Sequence, residues 1–172
     1  MDDIPNSGEP PQSPSDRASV AWQQLQLILS FFSRIDTKLS VVLGINLGML
    51  ALLGTRLPDP DQIAPIIAAL GTLFLIGVCV SLRHLWTGAF PDLAGATHSL
   101  VYFKTISAMT KEAFQAACRV RTVEDLTNDL LEQCWWNSKI LACKFHSLRH
   151  AYVATLASVA PWLVLIYLLP KR

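Results

Sequence analysis

Polar and apolar positions follow a helical period through the first third of the chain, after a segment rich in proline and serine. Positions that recur at steps of three and four form one helical face: Trp22, Leu25, Leu29, Phe32, Asp36, Leu39, Leu43 and Asn46. With Asp16 as its N-cap, this pattern predicts one helix over 16–57. Its first half is amphipathic and its second half continues as a membrane span. Residues 1–15 are predicted to form a disordered tail.

Three apolar stretches are long enough to cross a bilayer. They cover 39–57, 63–82 and 151–169, and each approaches the ~20 residues that a hydrocarbon core of about 30 Å requires. A buried helix of a soluble protein explains any one of them, but three together indicate a membrane protein. We therefore predict transmembrane helices within 16–57, 63–86 and 122–169.

The segment 87–121 joins the second and third spans and is predicted to hold a loop and short helices. It begins with glycine and proline, and Thr110 is a suitable N-cap for a helix over 111–119.

A stronger helix start follows at Thr122. Its hydroxyl group, with Glu124 and Asp125 behind it, complements the free N–H groups of a first turn. No breaker follows before Pro161, so one long helix is expected over 122–169. The predicted fold class is an all-α membrane protein in which two long helices extend from the membrane into a cytosolic helical bundle.

Composition and charge agree with a membrane location. Only 16% of the residues are charged, against about 25% in a soluble domain, and the net charge of +1 argues against nucleic-acid binding. Lysine and arginine are concentrated before the first span and between the second and third spans, whereas the first hairpin loop is acidic. The positive-inside rule therefore places the N-terminus and residues 84–150 in the cytoplasm.

Two polar residues interrupt the face of the first helix. Asp36 lies at the predicted membrane boundary and Asn46 lies within the span. If the two long helices run antiparallel, Asp36 lies level with Lys144 to Arg149, and an ion pair there satisfies the carboxylate. The alternative is that Asp36 and Asn46 only fix the register of the helices.

Gly44 and Gly48 form a small-xxx-small step around Asn46. In lipid such a step permits close helix–helix approach, within one chain or between copies in a homo-oligomer. Asp36, Gly44, Asn46, Gly48 and Arg149 are therefore the candidate helix-contact and gating residues.

The long helix has a heptad-like face with several polar members: Leu126, Leu130, Gln133, Asn137, Leu141, Lys144 and Leu148. Amide donors and a cation along one groove suit a phosphate and a base edge, so ligand binding is favoured over a purely structural role. His146 and His150 have ligand spacing but no third ligand beside them, and no metal site is predicted. No nucleophile elbow, phosphate loop or carboxylate pair is present, so no enzyme activity is expected.

Several motifs resemble those of the Pycsar transmembrane effectors, small bacterial antiphage membrane proteins. They are "DTKLSVVLGIN" from Asp36, "SLVYFKTI" from Ser99, "TKEAF" from Thr110 and "EDLTNDLLEQCWWNSKILACKFHSLRHA" from Glu124. The resemblance extends from Asp36 to the C-terminus with the order of elements intact, and it rests on their combined order and spacing.

This resemblance implies a receptor for cyclic UMP or cyclic CMP, made by a partner pyrimidine nucleotide cyclase. Binding then disrupts the bacterial inner membrane and causes abortive infection. The candidate ligand-binding residues are Ser99, Tyr102, Asn137, Lys139 and Lys144, with hydroxyl and amide groups for the base, cations for the phosphate and an aromatic ring for stacking. The alternatives are a membrane effector opened by another cyclic mono- or oligonucleotide, and a membrane scaffold that binds a protein partner.

Overall fold

The computed structural model describes residues 13–58, 63–90 and 99–169. Every regular element in these residues is a helix: α1 (Pro14–Gly54), α2 (Pro65–Ala89), α3 (Phe103–Ser107), α4 (Lys111–Val120) and α5 (Val123–Leu168). Three of them, α1, α2 and α5, are long and apolar enough to cross a membrane. The predicted fold class of an all-α membrane protein with three spanning helices is confirmed.

The chain forms two compact units. In the described residues the first unit comprises 13–29 and 99–137, and the second comprises 30–58, 63–90 and 138–169. The helices α1 and α5 contribute residues to both units, and each is one uninterrupted helix. Most of the predicted tail, the acidic loop after α1, residues 91–98 and the C-terminal Lys171 and Arg172 lie outside the described residues.

The start of α1 differs from the sequence prediction, which made Asp16 the N-cap and extended the tail to residue 15. The cap is Ser13, whose Oγ accepts from the Asp16 backbone N–H at 3.2 Å. The Asp16 carboxylate accepts in return from the backbone N–H of Ser13 at 3.2 Å and from its hydroxyl at 2.6 Å. Pro14 then occupies the first helical position, where its missing N–H costs no hydrogen bond.

Two other helix starts lie where the sequence places them. Thr110 caps α4 by accepting from Ala113 N–H at 3.2 Å. At α5 the Thr122 hydroxyl accepts from the Asp125 backbone N–H at 3.1 Å, and the Asp125 carboxylate accepts in return from the Thr122 backbone N–H at 3.1 Å. This reciprocal pair is a capping box in which aspartate replaces the usual glutamate.

In the second unit α1 and α5 run in the same direction. Asp36 contacts Lys144 near the start of the apolar stretches, and Arg56 donates to the Ile166 carbonyl at 2.9 Å near their ends. The antiparallel arrangement considered from the sequence is therefore wrong. Because one membrane span separates α1 from α5, the two helices must cross the membrane in the same direction. Parallel packing therefore brings Asp36 level with Lys144.

The helix α2 runs opposite to α1 in this unit. Leu85 packs in one cluster with Leu39, and Phe74 packs in a second cluster with Leu53. Residue numbers therefore increase along α1 in the direction in which they decrease along α2. Alanine and leucine side chains of α5 complete both clusters, including Ala151 and Leu165. Many other large apolar side chains of these helices are exposed, as spans that contact lipid require.

The close glycine contacts are not at the predicted glycines. A Cβ at Gly44 or Gly48 would meet nothing within 4 Å, so these two do not mediate packing within the described chain. A Cβ at Gly77 would lie 2.2 Å from Ser158 Oγ, and one at Gly88 would lie 3.1 Å from Ser147 Cβ. The close approach of α2 to α5 therefore depends on Gly77 and Gly88.

Candidate functional site

The first unit contains a cavity of about 560 Å³ between α4, the start of α5 and the segment before α3. This volume is in the range of small-molecule sites. We call it the α4–α5 cavity, and its lining residues are Ser99, Leu100, Ala117, Val120, Arg121, Asp125, Asn128, Asp129 and Glu132.

Asp129 links the three segments that border this cavity. Its Oδ2 accepts from the Leu100 backbone N–H at 2.9 Å and from the Arg121 guanidinium, with which it forms an ion pair. The residue is only 7% exposed, yet Oδ1 has no hydrogen-bond partner among the described residues. A buried carboxylate oxygen without a donor is costly, so a ligand O–H or N–H in the cavity would restore a lost interaction.

Arg121 lies at the junction of α4 and α5, and some of its guanidinium N–H donors make no hydrogen bond within the described residues. Only Nη2 is used in the described residues, by Asp129 and by the Asp125 carbonyl at 3.1 Å. A guanidinium group carries five N–H donors in a planar fork that suits a phosphate. Nε and Nη1 are therefore open to an anionic oxygen.

Ser99 shapes the segment that precedes α3. Its Oγ accepts from the backbone N–H groups of Val101 at 3.0 Å and Tyr102 at 2.9 Å. The side chain is 2% exposed, so its hydroxyl is committed mainly to this turn. Ser99 thereby orients the Leu100 N–H toward Asp129.

The cavity has a net negative lining. Asp125, Asp129 and Glu132 contribute carboxylates against the single Arg121 guanidinium. Hydrogen bonds from the Thr122 hydroxyl and backbone N–H lower the pKa of Asp125 below its ordinary value, so Asp125 remains ionised. The lining tolerates one anionic group beside Arg121 and disfavours several.

The five predicted ligand residues are distributed over both units. Ser99 lines the α4–α5 cavity, and the other four do not. Tyr102 and Asn137 lie in the first unit, where Asn137 donates to the Gln133 carbonyl at 2.8 Å. Lys139 is exposed and belongs to the second unit, as does Lys144.

Lys144 has a defined partner in the second unit. The side chain is 8% exposed, and Nζ lies 2.5 Å from Asp36 Oδ1 and 5.6 Å from the centre of the Phe32 ring. The ion pair expected from the sequence therefore forms with Lys144. Arg149, the other candidate cation, makes no ion pair in the described residues.

Asn46 joins the three long helices of the second unit. It is fully buried, and its Nδ2 lies 3.0 Å from Ser81 Oγ on α2 and 2.9 Å from Thr155 Oγ1 on α5. The two hydroxyls lie 2.8 Å from each other. This Asn46–Ser81–Thr155 cluster gives the helices a polar contact inside an otherwise apolar core.

Four polar residues of this cavity were not predicted from the sequence: Arg121, Asn128, Asp129 and Glu132. Three of them, with Asp125, recur at steps of three and four on α5, which places them on one helical face. That spacing was the available signal. This spacing does not identify a site by itself, because polar residues on one helical face are also typical of a helix exposed to solvent.

No group of three or more metal-ligating side chains occurs in the described parts of the chain. His146 and His150 instead contact each other, with ring centres 4.2 Å apart, and His150 Nδ1 lies 2.9 Å from the His146 carbonyl oxygen.

The sequence model of one family, described as "Pycsar effector protein domain", matches residues 20–170. No curated protein and no solved structure matches the chain.

Proposed function

Because this chain belongs to the Pycsar effector family and is thereby an effector of antiphage defence, we propose that it senses a cyclic pyrimidine mononucleotide and then disrupts the membrane that it spans. In this proposal cyclic UMP or cyclic CMP comes from a partner cyclase. The protein is not an enzyme; it resides in the bacterial inner membrane with its N-terminus in the cytoplasm, and its effect on the membrane stops the infected cell.

The observation that carries the ligand part of the proposal is the α4–α5 cavity. Arg121 offers unused donors for one phosphate oxygen, and the buried Asp129 Oδ1 lacks a donor. A cyclic mononucleotide can satisfy both residues. Its anionic phosphodiester accepts from Arg121, and an O–H or N–H group of its ribose or base donates to Asp129. The proposed site therefore contains Ser99 of the sequence candidates, together with Arg121 and Asp129.

The charge of this cavity favours a mononucleotide over a larger cyclic messenger. A cyclic mononucleotide has one negative charge, whereas a cyclic oligonucleotide has one for each phosphate. The lining offers one guanidinium group and three carboxylates, so each additional phosphate adds repulsion without a further cation.

The proposed signal passes along α1 and α5. Asp125, Asn128, Asp129 and Glu132 of α5 line the cavity, and the same uninterrupted helix carries Lys144 and Thr155. A ligand shifts the equilibrium between two states only by its difference in affinity for them. We propose that binding changes the rotation or position of α5, which alters its contacts with Asp36 and Asn46 in the membrane.

Oligomers are part of this mechanism. Gly44 and Gly48 are exposed on α1 and contact nothing within the described chain, which leaves their face available to another copy. We propose that homo-oligomers assembled through this face open a leak when the contacts of α5 change.

Thermal-shift and calorimetric titrations of the purified full chain test the ligand. Cyclic UMP or cyclic CMP is expected to stabilise the protein, and cyclic dinucleotides are not. Asn128→Asp adds a carboxylate to the cavity and is expected to weaken binding about fivefold or more. Gln115→Glu makes the same change of amide to acid in the same unit outside the cavity and is expected to leave binding unchanged.

Three results would contradict the proposal. Loss of binding in Asn137→Ala and Lys139→Ala, with Asn128→Asp unaffected, would move the site to the groove predicted from the sequence. If a cyclic oligonucleotide binds and neither cyclic UMP nor cyclic CMP does, the messenger is a cyclic oligonucleotide and not a cyclic pyrimidine mononucleotide. Binding of no nucleotide, with a protein that co-purifies, would support a scaffold.

A further inference from the structure

A second cavity lies in the second unit where the apolar stretches of α1 and α5 begin. It has a volume of about 430 Å³ and opens between these two helices. We call it the α1–α5 groove, and its lining residues are Thr37, Lys38, Val41, Val42, Phe145, Leu148, Arg149 and Tyr152.

The groove combines an apolar floor with cations at one level. Val42 and Leu148 are buried at its base, and Phe145 is 59% exposed at its side. Lys38 directly precedes the first apolar stretch and Arg149 comes just before the third. Apolar surface therefore continues from the level of these two cations toward the middle of the spans.

Lys38 and Arg149 have no anionic partner within the described chain. Neither makes an ion pair or a side-chain hydrogen bond there, and no acidic residue lines the groove. The nearest carboxylate in sequence, Asp36, is bonded to Lys144 and lies on another face of α1, where it lines a separate cavity. Two cations without a counter-ion, beside apolar surface at the membrane boundary, suit a ligand that has both an anionic group and a hydrocarbon chain.

We propose that the α1–α5 groove binds one anionic glycerophospholipid. Its phosphate lies between Lys38 and Arg149, and one acyl chain lies along Val41, Val42 and Leu148. The apolar floor distinguishes this ligand from a soluble anion, which would leave the floor uncovered. The two cations distinguish it from a zwitterionic lipid such as phosphatidylcholine, whose choline cation offsets the charge of its phosphate. The bound lipid is then part of the contact between the two long helices.

The test uses the full chain in nanodiscs of phosphatidylcholine that contain phosphatidylglycerol as a minor component. Native mass spectrometry measures the ratio of anionic to neutral lipid that remains on the protein. The wild type is expected to retain phosphatidylglycerol preferentially. Lys38→Gln/Arg149→Gln is expected to reduce that preference about 30-fold, and each single substitution about fivefold.

The matched control is Arg34→Gln/Arg83→Gln, which removes the same charge from α1 and α2 outside the groove. The control is expected to keep the wild-type preference. An equal loss in the control pair would show general attraction to an anionic surface and would overturn the site, as would a wild type without preference. Displacement of the lipid by soluble glycerol phosphate would overturn the acyl-chain part, because a phosphate site alone would then suffice.

Discussion

Lys144 is buried against α1, where its ammonium group contacts both the Asp36 carboxylate and the Phe32 ring. Asp36 itself is half exposed, so the pair is partly screened by its surroundings. Breaking the pair costs more free energy at the lysine than at the aspartate, because the buried ammonium group is left without a counter-ion.

The variant Asp36→Asn tests this asymmetry. It is expected to lower the free energy of unfolding by about 1–3 kcal/mol, since the buried Lys144 loses its anionic acceptor. Thermal unfolding in detergent measures the loss. The exchanged pair Asp36→Lys/Lys144→Asp is expected to recover part of it, and no recovery in the exchanged pair would argue against a specific interaction.

The capping box of α5 predicts a pH dependence in the first unit. The Thr122 hydroxyl and backbone N–H lower the pKa of Asp125 from its ordinary 3.8, so the pair stabilises the fold above that pH. This contribution is lost as the pH falls through the lowered pKa. In Thr122→Ala the unfolding midpoint is expected to be lower near neutral pH and to fall less on acidification below 3.8. An unchanged slope in the variant would show that Asp125 does not depend on this cap.

Residue chemistry was only partly predictable from the sequence. An ion pair of Asp36 with a cation between Lys144 and Arg149 was predicted on the assumption that the long helices run antiparallel. The structure contains the Asp36–Lys144 pair, but between parallel helices. Asp129 was not predicted, because a single aspartate on a polar helical face looks like a solvated residue. Its burial depends on the segment of Ser99 and Leu100, which lies far away in sequence.

At the scale of elements, the packing of α2 on α5 depends on small residues, and the tighter of the two glycine contacts is at Gly77. A Cβ at Gly77 would meet Ser158, which is 1% exposed and donates to the Ala154 carbonyl at 2.8 Å. A side chain there must displace Ser158 or separate the helices.

Gly77→Val is therefore expected to lower the free energy of unfolding by about 1–3 kcal/mol, as overpacking of a core does. Gly71→Val is its matched control, because Gly71 lies on the same helix and a Cβ there meets nothing within 4 Å. Thermal unfolding of both variants in one detergent gives the comparison. Equal losses would indicate an effect of valine on α2 itself and not a clash with α5.

Helices were more predictable from the sequence than their contacts. The period of apolar residues and the cap at Thr122 locate α1 and α5 to within a few residues, because both signals are local. The need for glycine is not local: it depends on which side chain of another helix lies opposite. The sequence indicated Gly44 and Gly48 as a helix-contact step without specifying the partner chain, and within the described chain the close contacts are at Gly77 and Gly88.

At the scale of the whole molecule, α1 and α5 are each uninterrupted and contribute to both units. From the sequence they were considered antiparallel, whereas they run in the same direction in the second unit; an ion pair at one level fits either direction. Their common direction follows from the number of spans between them. Cavity residues of α5 and membrane residues of α5 consequently belong to one helix, and the proposed coupling rests on that continuity.

Dye release from vesicles tests this coupling most directly. The purified full chain is reconstituted into lipid vesicles that contain a self-quenching dye, and cyclic UMP, cyclic CMP or a cyclic dinucleotide is added outside. We predict rapid release with at least one cyclic pyrimidine mononucleotide, weaker release in Asn128→Asp at the same concentration, and wild-type release in Gln115→Glu. Vesicles that stay sealed with both pyrimidine messengers, while calorimetry shows that the folded protein binds one of them, would contradict the account.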